Sequence, residues 1–453
     1  MYQVKRREAK MKKVLMAGLV LCLVASLVLP MGLGCAGPKA EVPTIKVGVI
    51  GPMTDVQGRN HWQGATMAMN EINGAGGVKV GEAKMLIKLI EIDSNENVSV
   101  PDAVTAMEKV IIVDKADFVV GGNRTESVLA MQDVAMDNGK IFLVCGAAGN
   151  DVFVKLTKNY DRYKYTFRVA TLNSTNLTQV QVLCLKTVAA KIRAELGIQK
   201  PKVAILMEKM AWAEAVVAAA QQIIPVLGME VVGVWRPSAT ATDMSAELTA
   251  IKGSGAHMIF TGFGGAAGIA YAKQWEELGI PACSFGVNIE AQTTRFWEAT
   301  GGKGNYETTL NFWAPVAITS KTLPFIEKYQ KEFGEFPACY ASTYDALYVL
   351  KEAIERAGTL NADTVVAELE KTKYEGTSGT VAFYPRDHAT PHDLVFGPGY
   401  TTAVAIQWRD GEMKCVWPDG WKDVKYPGTV EYAVPPRVIE YFKRAAPSAA
   451  PAE

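Results

Sequence analysis

Asp387-His388-Ala-Thr-Pro-His392-Asp393 places two histidines and two aspartates within seven residues. These are donor types that a divalent cation such as zinc accepts. The spacing of the whole cluster is too loose to specify a metal site, so a structural loop is the stronger expectation and no metal is assigned. Gly262-Phe-Gly-Gly-Ala-Ala-Gly268 mimics a phosphate-cradling loop. It lacks the following Lys-Ser/Thr pair and the downstream acid of a dinucleotide site, and reads instead as a cleft loop at a helix N-terminus. Nucleophilic catalysis has little to work with: there is no Gly-x-Ser-x-Gly elbow, and the histidines are four, His61, His257, His388 and His392. A hydrolase is therefore the weakest class open to the chain, and neither catalysis nor a cofactor is expected. Arg124 carries a planar fork that can meet a carboxylate through two parallel hydrogen bonds; the alternative is a solvated surface charge.

Composition narrows the partners. Lys and Arg number 47 and Asp and Glu 47, which leaves no electrostatic footprint for nucleic acid. Five cysteines lie beyond the first 35 residues: Cys145, Cys184, Cys283, Cys339 and Cys415. An odd number cannot all pair internally, none forms Cys-x-x-Cys, and a large chain needs no disulfide staples. Buried free thiols are the expectation.

The first 35 residues address the rest. Lys5, Arg6, Arg7, Lys10, Lys12 and Lys13 form a basic head, and Val14 to Leu29 is uncharged and mostly apolar. Small residues follow. This is the pattern of a secretory signal, too short for a spanning helix. Leu33-Gly34-Cys35 after the apolar run resembles a lipobox, which implies lipidation at Cys35. Residues 36–42 would then tether a domain to a membrane surface. Residues 444–453, rich in Pro and Ala, are expected to be a disordered tail. About 410 residues remain, enough for more than one core.

Those residues alternate strand and helix. Ile45 to Ile50, Met85 to Ile92, Phe118 to Val120, Ile141 to Val144 and Tyr165 to Val169 read as strands. Between them lie helical stretches, among them Trp62 to Ile72, a helix opened by Pro101, and Glu126 to Asp137. The alternation restarts with strands at Val203 to Met207, Glu230 to Trp235, Met258 to Thr261, Ser284 to Val287 and Thr308 to Trp313. Right-handed crossovers of this length build parallel sheets covered on both faces. The chain length fits two doubly wound α/β units.

Ile45-Lys-Val-Gly-Val-Ile-Gly-Pro-Met-Thr54, Gly64-Ala65, Asn70-Glu-Ile-Asn-Gly-Ala-Gly-Gly77, Glu91-Ile-Asp93, Val119-Val-Gly-Gly122, Tyr165-Thr-Phe-Arg168, Tyr344-Asp-Ala346 and Gly379-Thr-Val-Ala-Phe383 come in a telling order. In order and spacing they closely resemble the leucine/isoleucine/valine-type (type I) periplasmic solute-binding proteins of ABC importers. The resemblance implies an α/β fold of two doubly wound parallel-sheet lobes joined by three crossover strands. Lobe 1 would span residues 43–168 plus 314–375, and lobe 2 residues 169–313 plus 376–443. A small ligand would sit between the lobes and close them by hinge motion.

The resemblance also implies a site. The loop Cys145-Gly-Ala-Ala-Gly-Asn150 would grip a carboxylate with backbone N–H groups at Gly146, Ala147 and Ala148, and Asn150 would stand in for a missing hydroxyl. Thr125 supplies a second hydroxyl, or else caps the helix after it. Gln57, Trp62, Trp212 and Phe263 would form pocket walls, wide enough for an aromatic or bulky apolar group. Amino-acid binders of this family place an acid where this chain has Asn288, with Glu290 two residues on. Either Glu290 receives the ammonium or the ligand has none, so amine-free carboxylates are expected to bind at least as well as α-amino acids. The implied function is an extracytoplasmic, monomeric solute-binding protein that hands an amino acid or small carboxylate, aromatic ones included, to an ABC permease. A ligand-sensing receptor subunit of the same fold is the alternative.

Overall fold

The computed structural model describes residues 43–445. The expected signal with Cys35, the tether 36–42 and residues 446–453 of the expected tail lie outside the described residues; residues 444 and 445, expected to be part of that tail, end the helix Pro436–Ala445. The first group of apolar runs forms β1 (Thr44–Gly51), β2 (Val78–Val80), β3 (Ala83–Asp93), β4 (Phe118–Gly121), β5 (Ile141–Val144) and β6 (Thr166–Arg168). They make one sheet in the order β2-β3-β1-β4-β5-β6, parallel except for the β2–β3 hairpin. The second group is β7 (Lys202–Met207), β8 (Glu230–Trp235), β9 (Met258–Phe263), β10 (Cys283–Asn288) and β11 (Thr308–Asn311). A small hairpin, β12 (Lys373–Glu375) with β13 (Thr380–Ala382), is followed by β14 (Val404–Arg409) and β15 (Glu412–Trp417). The second sheet runs β15-β14-β11-β10-β9-β7-β8; β14 is antiparallel to β11 and β15 antiparallel to β14, so β14 alone opposes the direction of the rest.

Strands buried on both faces need apolar residues at nearly every position, and the first sheet divides them by the period of two. Val47, Val49, Phe118, Val120, Ile141 and Leu143 enter one core, while Ile50, Val119, Phe142 and Val144 enter the core on the opposite face. The chain passes between the sheets three times. It leaves β6 for the helix Ser174–Leu196 and β7, and it leaves β11 for the helices Thr322–Phe333 and Thr343–Ala357. Ala346, Leu347 and Leu350 of the latter join the core of β1, and the chain then returns through β13 to β14.

Several elements depart from the sequence reading. The helix expected over Trp62 to Ile72 spans Val56–Gly74. Its first turns carry Gln57, Asn60 and His61, buried although polar, so the apolar period is masked exactly where the helix begins to serve the site. The strand β2 and the helix Asp151–Lys158 were not anticipated; the latter buries only Val152, Phe153 and Leu156. Pro101 does sit in the first turn of a helix, Val100–Glu108, capped by Ser99 Oγ, which accepts from Asp102 N at 3.3 Å. All five cysteines are free and buried.

The His/Asp stretch is a structural loop. His392 stacks on Phe167 at 4.0 Å between ring centroids, and its Nε2 lies 3.0 Å from Glu370 Oε1. Asp393 forms a fully buried ion pair with Arg168 at 2.8 Å. His388 stacks on Tyr384 at 3.8 Å.

Candidate functional site

A cavity of about 350 Å³ lies where the carboxyl ends of the parallel strands of both sheets meet. Loops at this edge are where open α/β sheets hold ligands, because the chain reverses there and helix N-termini point inward. The first sheet contributes Asp55 and Gln57 after β1, Asn97 and Val98 after β3, and Asn123, Arg124 and Thr125 after β4. Gly146 and Ala148 follow β5. The second sheet contributes Glu208, Met210 and Trp212 after β7, Gly264 and Gly265 after β9, and Ile289 and Glu290 after β10. Leu177, Phe312 and Tyr340 add apolar wall.

The loop after β5 is held from behind. Arg168 donates through Nη1 to the Ala147 carbonyl and through Nη2 to the Gly149 carbonyl at 2.9 Å. Ser174 Oγ and N donate to the Ala148 carbonyl at 2.9 and 2.7 Å. Gly149 N in turn donates to Thr125 Oγ1 at 3.1 Å, which fastens the loop to the start of the helix Thr125–Asp137. Thr125 therefore ties loop to helix and makes no capping bond to its own helix. Glycine is needed at 146, where a Cβ would stand 2.4 Å from the Gly122 carbonyl oxygen.

The loop after β4 is organised by Glu96. This buried carboxylate accepts from Asn123 N and Arg124 N, both at 2.9 Å, and from Ser94 Oγ at 3.0 Å. Burial still outweighs those donors and pushes its pKa up to about 7. Arg124 Nη1 donates to the Asn97 carbonyl at 3.2 Å, and its Nε lies 3.4 Å from Glu126. His61 stands behind Tyr340, with Nδ1 3.0 Å from the Tyr340 carbonyl; burial lowers its pKa to about 4 and keeps it neutral.

On the other wall, Glu208 Oε1 accepts from Trp212 Nε1 at 3.0 Å. Burial raises the Glu208 carboxyl to about 7. Glu290 is also raised by burial, with Arg59 acting in the opposite direction. Gln57 Nε2 donates to the Gly264 carbonyl and so joins the loop after β1 to the loop after β9. The charged groups on the wall are Asp55, Glu208, Glu290 and Arg124, three acids to one cation.

Of the residues expected at the site, Gln57, Arg124, Thr125, Gly146, Ala148, Trp212 and Glu290 line the cavity. Five do not. Phe263 is fully buried within β9 and stacks on Tyr271 at 5.0 Å, so it serves the core. Asn288 is fully buried and donates through Nδ2 to the Gly268 carbonyl and to Glu307 Oε1, both at 3.1 Å. Trp62 is half-buried against the core of the first sheet, on a different face of its helix from Gln57 in sequence register. Ala147 packs into the other core of that sheet. Asn150 donates to Thr175 Oγ1 at 2.9 Å. Sequence reasoning missed Glu208, Asn97, Asp55 and Tyr340. Glu208 was findable: it is the first polar residue after the apolar run Val203 to Met207, and so sits at the carboxyl end of a parallel strand. Tyr340 had no such signal, since it lies in a short turn between two helices.

Comparison with known proteins agrees with this architecture. The family model described as periplasmic binding protein matches residues 44–398. The Leu/Ile/Val-binding protein homolog 3 of Brucella melitensis is 25% identical over 378 residues, covering 83% of this chain and 94% of that protein. The crystal structure of the branched-chain amino acid transporter substrate binding protein from Streptococcus pneumoniae, in complex with isoleucine, matches with TM-score 0.67 at 20% identity, over 85% of this chain and 100% of that one. A solute binding protein of an ABC transporter from R. palustris, in complex with benzoate, matches with TM-score 0.66 at 17% identity, over 82% and 95%. At such identities the structural likeness speaks for the fold, while the family match spans most of the chain. This chain belongs to the periplasmic binding protein family.

Proposed function

We propose that this protein is an extracytoplasmic solute-binding protein that captures an amino acid or a small carboxylate, aromatic ones included, and delivers it to an ABC-type permease. The observation that carries the reading is the cavity itself: it draws on the strand ends of both sheets, is mostly apolar, and holds a single cation, Arg124. Arg124 would meet the ligand carboxylate, helped by the N–H groups of the loop after β5. Residues 43–168 plus 314–375 would move as one lobe and residues 169–313 plus 376–443 as the other. The ligand favours the closed arrangement because only there does it touch both walls. No chemical step is involved. A secretory signal ending in a lipidated Cys35 would hold the monomer at the membrane near its permease. Binding proteins named for Leu, Ile and Val, and structures holding isoleucine or benzoate, support both ligand classes.

A thermal-shift screen of the purified protein against amino acids, aromatic acids and short-chain acids tests this. A ligand at a hundred times its dissociation constant should stabilise the fold by about 2.7 kcal/mol, a shift of several degrees. A folded protein that no amino acid or carboxylate stabilises would refute the reading.

A further inference from the structure

Two acceptor atoms belonging to buried side chains of the cavity wall have no partner. Glu208 is 2% exposed and its Oε2 is unpaired, although Oε1 accepts from Trp212. Gln57 is 1% exposed and its Oε1 is unpaired, because its Nε2 is committed to the Gly264 carbonyl. Both side chains line the cavity beside Gly264, whose carbonyl accepts from Gln57 Nε2. A Cβ at Gly264 would stand 2.8 Å from Glu208 Oε1, so a larger residue there would displace the carboxylate. A buried acceptor without a donor is costly, and a carboxylate oxygen more so than a neutral one. Ionised, Glu208 has no proton to offer Gln57, so both atoms call for a donor from outside the protein.

The neighbouring charges leave Glu208 free for that role. Arg236 donates through Nη2 to the Glu208 backbone carbonyl, not to its carboxylate, and its guanidinium is paired with Glu214 at 2.6 Å. The other acids are occupied differently: Asp55 accepts from Asn97 Nδ2 at 2.7 Å, and Glu290 has Arg59 as its favourable charge. The amide at the end of β10, Asn288, is turned to Glu307. Once Arg124 meets a carboxylate, the wall offers no other cation, so the rest of a polar ligand faces acids and acceptors.

We propose that Glu208 Oε2, together with Gln57 Oε1, receives a protonated amine of the ligand. Within the solute class proposed above, on which this rests, the ligand is then one that carries both an ammonium and a carboxylate on an apolar body. This reverses the preference for amine-free acids that Asn288 alone implies. The ammonium site moves from the end of β10 to the end of β7.

Calorimetric titration of the purified protein with matched pairs tests it: leucine against isocaproate, and phenylalanine against hydrocinnamate, with phenethylamine as the amine lacking a carboxylate. At least one amino acid should bind more tightly than its amine-free partner. Glu208→Gln should weaken that amino acid roughly 10- to 100-fold and collapse the preference, while Glu290→Gln should leave the preference in place. Glu208→Asp, which keeps the charge but withdraws it by one methylene, should fall between; it and the wild-type pairs serve if the amide variant does not fold. Four results would overturn the proposal: both amine-free acids binding as well as their amino acids, an equal loss for both members of a pair in Glu208→Gln, the selective loss appearing in Glu290→Gln instead, or no binding of any amine-bearing probe. Binding of isocaproate or hydrocinnamate alone would overturn this assignment and leave the carboxylate reading standing. Silence from both classes would count against both.

Discussion

At the residue scale, the groups that matter most are those that hold others in place. Arg168 is fully buried, paired with a fully buried Asp393, and donates to two carbonyls of the loop after β5. Removing one member of a buried pair strands the other. Arg168→Met should therefore lower the unfolding free energy by about 3–5 kcal/mol, read as a lower urea midpoint with an unchanged slope. Glu307 makes a pH-dependent case. It is fully buried, has one unpaired oxygen, and burial raises it from 4.5 to about 7. Its folded pKa lies above the unfolded one, so the folded state binds the extra proton between those values. Its contribution is most favourable below about 4.5 and declines as pH rises to about 7. Inside that window the loss is at most about 1.4 kcal/mol per pH unit. His61 and His257, lowered to about 4 by burial, act in the opposite sense below 6.5. The comparison with Glu307→Gln isolates the carboxyl: the variant should gain on the wild type between pH 5 and pH 8 in urea unfolding, and a constant difference would contradict this. Neither role was legible in the sequence. Arg168 was visible as part of a motif, but its partner lies 225 residues away, and nothing local marks Glu307 as buried.

At the element scale, sequence and structure agree where a segment answers to its own pattern. Predominantly apolar runs became β1, β4, β5, β7 and β9 within a residue or two. Disagreement concentrates where tertiary surroundings override the pattern: polar residues buried at the start of Val56–Gly74, and a short helix after Asn150 too brief to show a period. The same division explains the candidate site. Loop positions after strands could be named in advance, but whether the last side chain of a strand turns to the cavity could not, as Asn288 and Phe263 show. The helix Ser174–Leu196 illustrates local control. Asn173 accepts from Asn176 N at 2.9 Å and also donates to Asp393 at 3.0 Å, while Gly197 closes the far end at φ 69° with open space beyond it. Gly197→Ala should cost about 1–2 kcal/mol, the price of a left-handed alanine. Asn173→Ala should cost about 2 kcal/mol or slightly more, because it removes a cap and a donor to a buried carboxylate together. Chemical denaturation of the two variants in parallel would check the order.

At the scale of the whole molecule, the Gln57 side chain joins the loops of the two sheets across the cavity. Gln57→Ala should loosen that junction. Small-angle scattering of the ligand-free variant should give a larger radius of gyration than the wild type. Ligand release should quicken more than ligand capture slows, since affinity changes within one site fall mainly on the off-rate. An unchanged radius and unchanged release would show that the junction does not restrain the two halves. That two halves exist at all was legible from the restart of the strand–helix alternation; that they touch through this glutamine was not, because the contact spans 207 residues. The buried cysteines have a consequence of another kind. Burial pushes Cys145, Cys283 and Cys339 up to about 12 and Cys415 to about 11, so at neutral pH they are protonated and shielded, and only the thiolate attacks an alkylating reagent. Modification must wait for an opening event. Cys339 borders the cavity and the other four do not. Its labelling rate should report how often the cleft parts, and the rates of the rest how often the fold itself yields, so one mass spectrum taken over time would separate the two motions without any introduced probe.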